Sequence, residues 1–302
     1  MKAKPSNQAF FPLLLTFFFW GSVYVAGKMI AEDIPPQLLA CLRCTVAMAP
    51  LLLMARGCLG TKIAREDWKY FGLVGFLGYF FTISLIQLGI SLTGASMASL
   101  INALTPVSVT VMAALILKER ITSTKVLCLV LALTGTAVVT SGADNRGDLL
   151  GIGVVLLAVL SWGAASVYMR RLTASYPPIL VTTYSMAISL IFHIPAGIFS
   201  ATHQPVVLSP TAVAVVLYLG LIGSGLSQFT WTKCLFLLPA STCSLFYPLQ
   251  PTFSALLGAL ILGEQFRPTF FIGLLLISVD VVLSAREAGR QTRENENLSK
   301  NN

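Results

Sequence analysis

Ala95-Ser96-Met97-Ala98-Ser99-Leu100 is written a second time as Ala240-Ser241-Thr242-Cys243-Ser244-Leu245, 145 residues further on. The register holds through Leu104/Leu249, Pro106/Pro251, Ala114-Leu115-Ile116-Leu117/Ala259-Leu260-Ile261-Leu262 and Glu119/Glu264, giving eleven identities in the 25 positions from 95 to 119. Apolar composition inflates such matches, but a paired proline and a paired glutamate thirteen residues apart do not come from composition. At the same offset Gly75 and Gly78 fall on Gly220 and Gly223. At an offset of 142, Trp20-Gly21 falls on Trp162-Gly163 and Lys28 on Arg170. The chain reads as one unit used twice.

The composition says what kind of unit. Of 302 residues, 56% are hydrophobic and only 11% charged, against roughly a quarter charged in an ordinary soluble domain. That leaves too little polar material to cover a soluble globule, and disorder would need the opposite balance. A helix crosses the hydrocarbon core with about 20 apolar residues. Ten such runs are found, near 10–30, 35–55, 70–91, 94–117, 124–141, 149–169, 178–199, 211–233, 239–262 and 268–285. Charges or helix breakers separate most of them, as at Glu32-Asp33-Ile34-Pro35-Pro36, Lys118-Glu119-Arg120 and Pro177-Pro178. The first run has an apolar core too long for a cleaved leader and is read as a retained helix. Five spans per copy is an odd number, so the second copy enters the membrane from the opposite side. The expected fold is therefore an all-α integral membrane protein of ten transmembrane helices, arranged as two inverted five-helix repeats. The first repeat covers 10–141 and the second 149–285, with a cytoplasmic segment 1–9 and a disordered polar cytoplasmic tail 286–302.

The formal charge of +8 is a topology signal and gives no support for a nucleic-acid surface. With the amino terminus inside, the inner segments hold Lys2, Lys4, Arg56, Lys62, Arg65, Lys69, Lys118, Arg120, Lys125, Arg170, Arg171, Lys233, Arg286, Arg290, Arg293 and Lys300, which is 16 of the 20 basic residues. Positive residues resist translocation, so both termini are expected in the cytoplasm of a cell whose inner membrane carries the protein. Inverted repeats suit alternating access, because exchanging the conformations of two opposed copies exposes a midplane site to the other side. This favours a transporter over an enzyme or a passive channel.

The sequence resembles the EamA-type members of the drug/metabolite transporter superfamily over residues 8–285. The resemblance rests on Phe19-Trp20-Gly21-Ser22, Arg43 and Thr105-Pro106 with Leu117-Lys118-Glu119-Arg120, and on their second-half versions Ser161-Trp162-Gly163 and Gln250-Pro251 with Leu262-Gly263-Glu264-Gln265. It implies a basket-like bundle whose central cavity is lined by spans 1, 3, 4, 6, 8 and 9, with spans 5 and 10 at the periphery. It also implies transport of amino acids or other small metabolites, commonly outward, without naming the cargo.

Polar side chains inside spans are functional candidates by default, because hydrocarbon penalises them. The substrate-cavity candidates are Trp20, Tyr24, Tyr79, Gln87, Asn102, Trp162, Ser166, Gln228, Tyr247 and Gln250; Ser22, Thr105, Ser224 and Ser227 share their spans. Rings and amides offer stacking faces and hydrogen bonds to a zwitterion or neutral metabolite without a fixed charge. Each also has a structural reading, since Ser and Thr bond their own backbone and Trp and Tyr anchor interfaces. Pro106 and Pro251 read as mid-span hinges or static kinks, and Glu119 and Glu264 as anchors or gates at the ends of their spans. Arg43, inside span 2, is expected to find a partner, with Glu32 and Asp33 nearest in sequence, and to act as a lock or gate contact. Asp280, deep in span 10, is the possible proton carrier, or else the partner of Lys233 or Lys125.

Several sharper signals fail. Span 1 carries no acid, so the carboxylate used by small multidrug exporters for cation/proton exchange is missing. Cys41-x-x-Cys44 lies inside a helix with no second pair, which argues against a metal. His193 and His203 are placed near the outer face, too few for a metal or a hydrolytic site. There is no phosphate-binding loop, and no cofactor is expected. The resulting expectation is a non-enzymatic secondary transporter, acting as a monomer or an oligomer on a small-molecule substrate among membrane lipids. A multidrug exporter of lipophilic cations and an intramembrane lipid-headgroup enzyme or flippase are the alternatives.

Overall fold

Prolines set where the helices of this chain begin, and glycines set how closely they pack. The computed structural model describes residues 7–30, 32–93, 101–102, 104–140, 149–262, 271–273, 275–283 and 286; every regular element among them is helical, with no strand. Helix α1 is Asn7–Lys28 and α2 is Pro36–Ala55. Helix α3 runs without a break through Trp68–Leu73, Val74–Phe81 and Thr82–Thr93. Then come α4 (Thr105–Leu117), α5 (Ser123–Thr140), α6 (Leu149–Leu172) and α7 (Pro178–His203). Helix α8 is continuous through Pro210–Tyr218, Leu219–Leu226 and Ser227–Leu237. Two shorter elements follow, α9 (Ala240–Ser244) and α10 (Leu249–Leu262), and α11 spans Phe271–Leu283. Six of these, α1, α2, α3, α6, α7 and α8, are long and apolar enough to cross a membrane.

Helices α2, α7 and α8 all start on proline, whose fixed φ and missing N–H suit the first helical turn. Ser209 caps α8 by accepting from the Ala212 amide at 3.0 Å. The same rule places two of the mid-span prolines. Pro106 sits in the first turn of α4, and Pro251 is the third residue of α10. The chain breaks ahead of each proline, not at it. What read as one span over 239–262 is two helices, α9 and α10, joined by turns at Leu245–Pro248. Span 8 also runs four residues further than expected, to Leu237.

Helices α3 and α8 share a rarer feature. Each changes from α to π winding in its middle, at Val74–Phe81 and Leu219–Leu226. Both segments are eight residues long and lie 145 residues apart (219 − 74 and 226 − 81). The carbonyls loosened by π winding find side-chain donors. Leu77 O accepts from Thr82 Oγ1 at 2.7 Å and from Ser161 Oγ of α6 at 2.9 Å. Gly223 O accepts from Ser227 Oγ at 2.5 Å and from Arg43 Nη2 of α2 at 3.4 Å.

The contacts between the two halves recur with the halves exchanged. A Cβ on Gly75 would lie 2.6 Å from the Ser185 carbonyl oxygen and 3.0 Å from Ile188 Cβ; one on Gly220 would lie 3.1 Å from the Arg43 carbonyl oxygen and 2.5 Å from Val46 Cβ. Gly75 and Gly220 differ by 145, while Arg43 and Ser185, like Val46 and Ile188, differ by 142. Gly78 against Ala165 Cβ (2.9 Å) pairs in the same way with Gly223 against Val23 Cγ2 (2.5 Å), and Gly21 against Phe253 Cβ (2.8 Å) with Gly163 against Ser108 Cβ (3.1 Å). At helix scale, α1 packs on α10 and α8 as α6 packs on α4 and α3, and α2 packs on α8 as α7 packs on α3. Helix α5 meets α11, where a Cβ on Gly135 would stand 2.9 Å from Ile277 Cγ1.

These approaches leave no room for a methyl group. Gly75→Ala is expected to destabilise the protein by about 1–3 kcal/mol, the usual cost of overpacking. Gly153→Ala, on an exposed face of α6 with nothing within 4 Å, is expected to be neutral or slightly stabilising. Thermal unfolding of the two variants in one detergent measures the difference.

Candidate functional site

Three helices and one pair of turns deliver large rings to one place. Trp20 comes from α1, Trp162 from α6, Trp231 from α8, and Tyr247 from the turns between α9 and α10. Ring centroids lie 5.8 Å apart for Trp20–Trp162, 5.5 Å for Trp20–Trp231, 5.8 Å for Trp20–Tyr247 and 5.7 Å for Trp231–Tyr247. Trp162 and Trp231 stack at 6.4 Å and 28°. Phe17 closes one side, 5.0 Å from Tyr247, and Tyr79 of the π segment of α3 stands 6.5 Å from Trp162. The Trp162 indole N–H donates to the Tyr247 hydroxyl. Trp231 and Tyr79 are fully buried, whereas Trp20, Trp162 and Tyr247 keep 6–8% of their surface accessible.

Polar groups flank the rings. Ser166 lies one turn beyond Trp162 on α6, and Gln228 one turn before Trp231 on α8. Ser166 Oγ, Gln228 Oε1 and Trp231 Nε1 are buried with no hydrogen-bond partner among the described residues. Buried polar atoms are ordinarily paired; these three belong to the tryptophan-bearing turns of α6 and α8. Gln250 follows Tyr247 by three residues and is 7% exposed in the first turn of α10. The first turns of α4 and α10 present the positive end of a helix dipole, which favours an anionic group nearby; in α10 the Leu249 and Gln250 amides already donate to the Phe246 and Tyr247 carbonyls, at 3.1 and 2.9 Å.

The other expected residues divide. Asn102 is engaged locally: its carbonyl and Oδ1 accept from Thr105 Oγ1 at 2.6 and 3.2 Å, where α4 begins. The side chains of Tyr24 and Gln87, and the whole of Glu264, lie outside the described residues. Arg43 turns from Glu32 and Asp33 to α8, donating to Ser224 Oγ at 2.7 Å and to Gly223 O. Asp33 instead faces Ser209, whose hydroxyl donates to its carboxylate at 3.3 Å. His193 is fully buried in α7, short of the helix end where it was expected, and donates from Nε2 to the Tyr79 carbonyl at 3.1 Å. Asp280 is fully buried against α5, with Cys128 Sγ 4.0 Å from its carbonyl oxygen. Lys125, one turn before Cys128, is buried as well, whereas Lys233 is exposed.

Trp231 is the main residue that sequence reasoning missed. With span 8 ended near Lys233, a tryptophan two residues earlier looks like an interface anchor. The helix continues to Leu237 and draws the ring inward. The signal was the apolar Cys234-Leu235-Phe236-Leu237 run beyond the lysine.

A second constellation closes the end of the bundle that carries most of the basic residues. Lys118, at φ 56°, ends α4 in the left-handed region and turns Glu119 toward α9. Glu119 Oε1 accepts from the Ala240 amide at 3.0 Å, and Oε2 from the Ser241 amide at 3.2 Å and from the Ser241 hydroxyl. Lys125 Nζ donates to Ser241 Oγ at 2.7 Å and to Arg120 O at 3.0 Å. Arg170 donates to the carbonyls of Leu235 and Phe236 at the end of α8. The Tyr176 hydroxyl accepts from the Ala64 amide at 3.0 Å and donates to Asp67 at 2.7 Å. The amide favours the phenolate and the carboxylate opposes it; the balance raises the phenol's pKa. The Glu119, Lys125 and Tyr176 bonds each join the first half of the chain to the second.

A family model described as "EamA-like transporter family" matches residues 8–141 and again 149–286. Among relatives, an "Uncharacterized transporter" of Archaeoglobus fulgidus is 26% identical, over 91% of this chain and 98% of its own. A "Probable terminal-alkyne amino-acid exporter" of Streptantibioticus cattleyicolor is 28% identical, over 95% and 97%. A solved crystal structure with 18% identity superposes with a TM-score of 0.80 over 94% of this chain and 99% of that one, which establishes the likeness of fold alone.

Breaking the latch is expected to open its end of the bundle. Cys243, two residues after Ser241, is fully buried. In the double variant Glu119→Ala/Ser241→Ala it should react with a membrane-impermeant maleimide at least about tenfold faster, since four charge-assisted bonds are lost. Mass spectrometry of the Cys243 peptide reads the rate, and an unchanged rate would remove the gate assignment.

Proposed function

Because this chain belongs to the EamA-like transporter family, we propose that it is a secondary transporter of amino acids or related small metabolites, working by alternating access as an exporter in the cytoplasmic membrane. Its ten spans are the six long helices together with α4, α5, the α9–α10 pair and α11, in two inverted five-helix repeats (10–141 and 149–285) around a central cavity. The observation that carries this reading is the set of glycine contacts that recur with the halves exchanged around one aromatic cluster. Such an arrangement is what two opposed copies of one unit produce, and their midpoint is where an alternating-access site belongs. The matched π segments support it independently.

The site's chemistry narrows the cargo. Indole and phenol faces, the Gln228 and Gln250 amides and the Ser166 hydroxyl suit a small zwitterion, with its carboxylate toward the first turn of α10. No acid lies among the described residues of the cluster to hold a lipophilic cation. The relative named as an amino-acid exporter points the same way. The latched basic end is the cytoplasmic side under the positive-inside rule, so the captured state is closed toward the cytoplasm. Glu119 is its gate, and Arg43, bonded to the π segment of α8, is a lock between helices.

Purified protein in liposomes should exchange at least one member of an amino-acid panel in counterflow. Trp20→Phe and Gln250→Ala should each lower that exchange about tenfold or more with unfolding temperature little changed, as expected when a site loses groups built to contact its ligand. No exchange of any panel member by folded protein would sink the proposal. Asp280→Asn separates the coupling modes: if Asp280 carries protons, gradient-driven transport is lost while counterflow at symmetric pH survives. If both survive, Asp280 is structural.

A further inference from the structure

At the start of α3, on the same basic end of the bundle, one tyrosine ring gathers two cations. The Arg171 guanidinium carbon lies 4.5 Å from the Tyr70 ring centroid and the Lys69 ammonium 5.0 Å from it. Tyr168 of α6 stacks on the same ring at 5.5 Å and 27°. Neither Lys69 nor Arg171 has a carboxylate partner among the described residues. The two acids just before them do not reach: Asp67 is held by the Tyr176 hydroxyl, and Glu66 is exposed. Next to the cations, Trp68 is 45% exposed and stacks on Tyr184 at 5.7 Å. Leu52, Leu53 and Met54, in the last turns of α2 leading to the same end, are exposed as well.

Each part of this patch has a physical meaning at the edge of a bilayer. Trp and Tyr settle at headgroup level, the exposed leucines mark where hydrocarbon begins, and cation–π contact holds the two cations in place. Two oriented positive groups without an acid, between two helices at that depth, are complementary to a phosphate that is itself anchored in the membrane. We propose that Lys69, Tyr70, Tyr168 and Arg171 form a seat for the headgroup of an anionic phospholipid. The seat joins α3 of the first half to α6 of the second. A bound lipid therefore holds the same end of the bundle that the Glu119 latch closes, and separating α3 from α6 expels it.

Native mass spectrometry of the detergent-purified protein, with phosphatidylglycerol or phosphatidylcholine added, tests the seat. The protein is expected to retain phosphatidylglycerol about thirtyfold more tightly, the sum of two interfacial cations. Lys69→Gln/Arg171→Gln should remove that preference, leave phosphatidylcholine binding unchanged and keep the unfolding temperature of the lipid-free protein. Millimolar glycerol phosphate should not displace the lipid. Equal retention of the two lipids, an unchanged preference in the double variant, or displacement by glycerol phosphate (a soluble-phosphate site) would each overturn the assignment. If the double variant does not fold, Arg171→Lys decides, because lysine keeps the charge but cannot lie flat on the ring. It should cost about fivefold, and no loss overturns the seat. No substrate is present in this measurement, so its failure leaves the transport reading standing.

Discussion

The constraint on which this molecule rests is the close approach of backbones at glycine. Lipid offers helices no hydrophobic reason to associate, so van der Waals contact and interhelical hydrogen bonds must hold the bundle. Gly75 and Gly220 let the π segments of α3 and α8 sit on the carbonyl faces of α7 and α2. Gly21 and Gly163 let α1 and α6 sit on α10 and α4. Once those four approaches are made, the tryptophans next to Gly21 and Gly163 have one common place to go. The aromatic cluster follows from the packing around it.

The cluster and the basic-end latch divide the work of the interior. At the rings, polar atoms are left unspent and no fixed charge intrudes among the described residues. At the latch the groups are engaged: one carboxylate accepts from three donors, and one buried ammonium donates to two oxygens among its contacts. The latch is costly to break halfway because Lys125 is buried and would lose the Ser241 hydroxyl.

Much of this was legible in the sequence wherever a residue type has one dominant physical use. The apolar runs, the duplicated glycines and the paired Trp-Gly announce membrane helices and their crossing points, and Trp20, Trp162, Tyr79 and Tyr247 do meet. Helix ends were less legible. Trp231 was hidden by a lysine that does not end its helix, and the sequence did not show that Pro106 and Pro251 lie in the first turns of helices. Partners distant in sequence were the hardest to foresee. Arg43 passes over the nearby Glu32 and Asp33 for Ser224, 181 residues away, because a helix face points across the bundle and not along the chain. Nothing in composition or periodicity marks π winding, so the alignment of two π segments at the repeat offset came from the structure alone.

That alignment has a consequence for how the chain tolerates change. A π turn contains more residues than the α turn it replaces, so Val74–Phe81 and Leu219–Leu226 each hold slack that straight helix lacks. Deleting one residue there could leave an unbroken α-helix, yet the change of winding would leave everything beyond turned and shifted along the axis relative to what precedes it. In α8 the parts turned away would be Gln228 and Trp231. The backbone would lose nothing it needs for hydrogen bonding, while the cluster would lose one of its walls. Length in these two helices is thus a setting of direction, and one residue is enough to misdirect it.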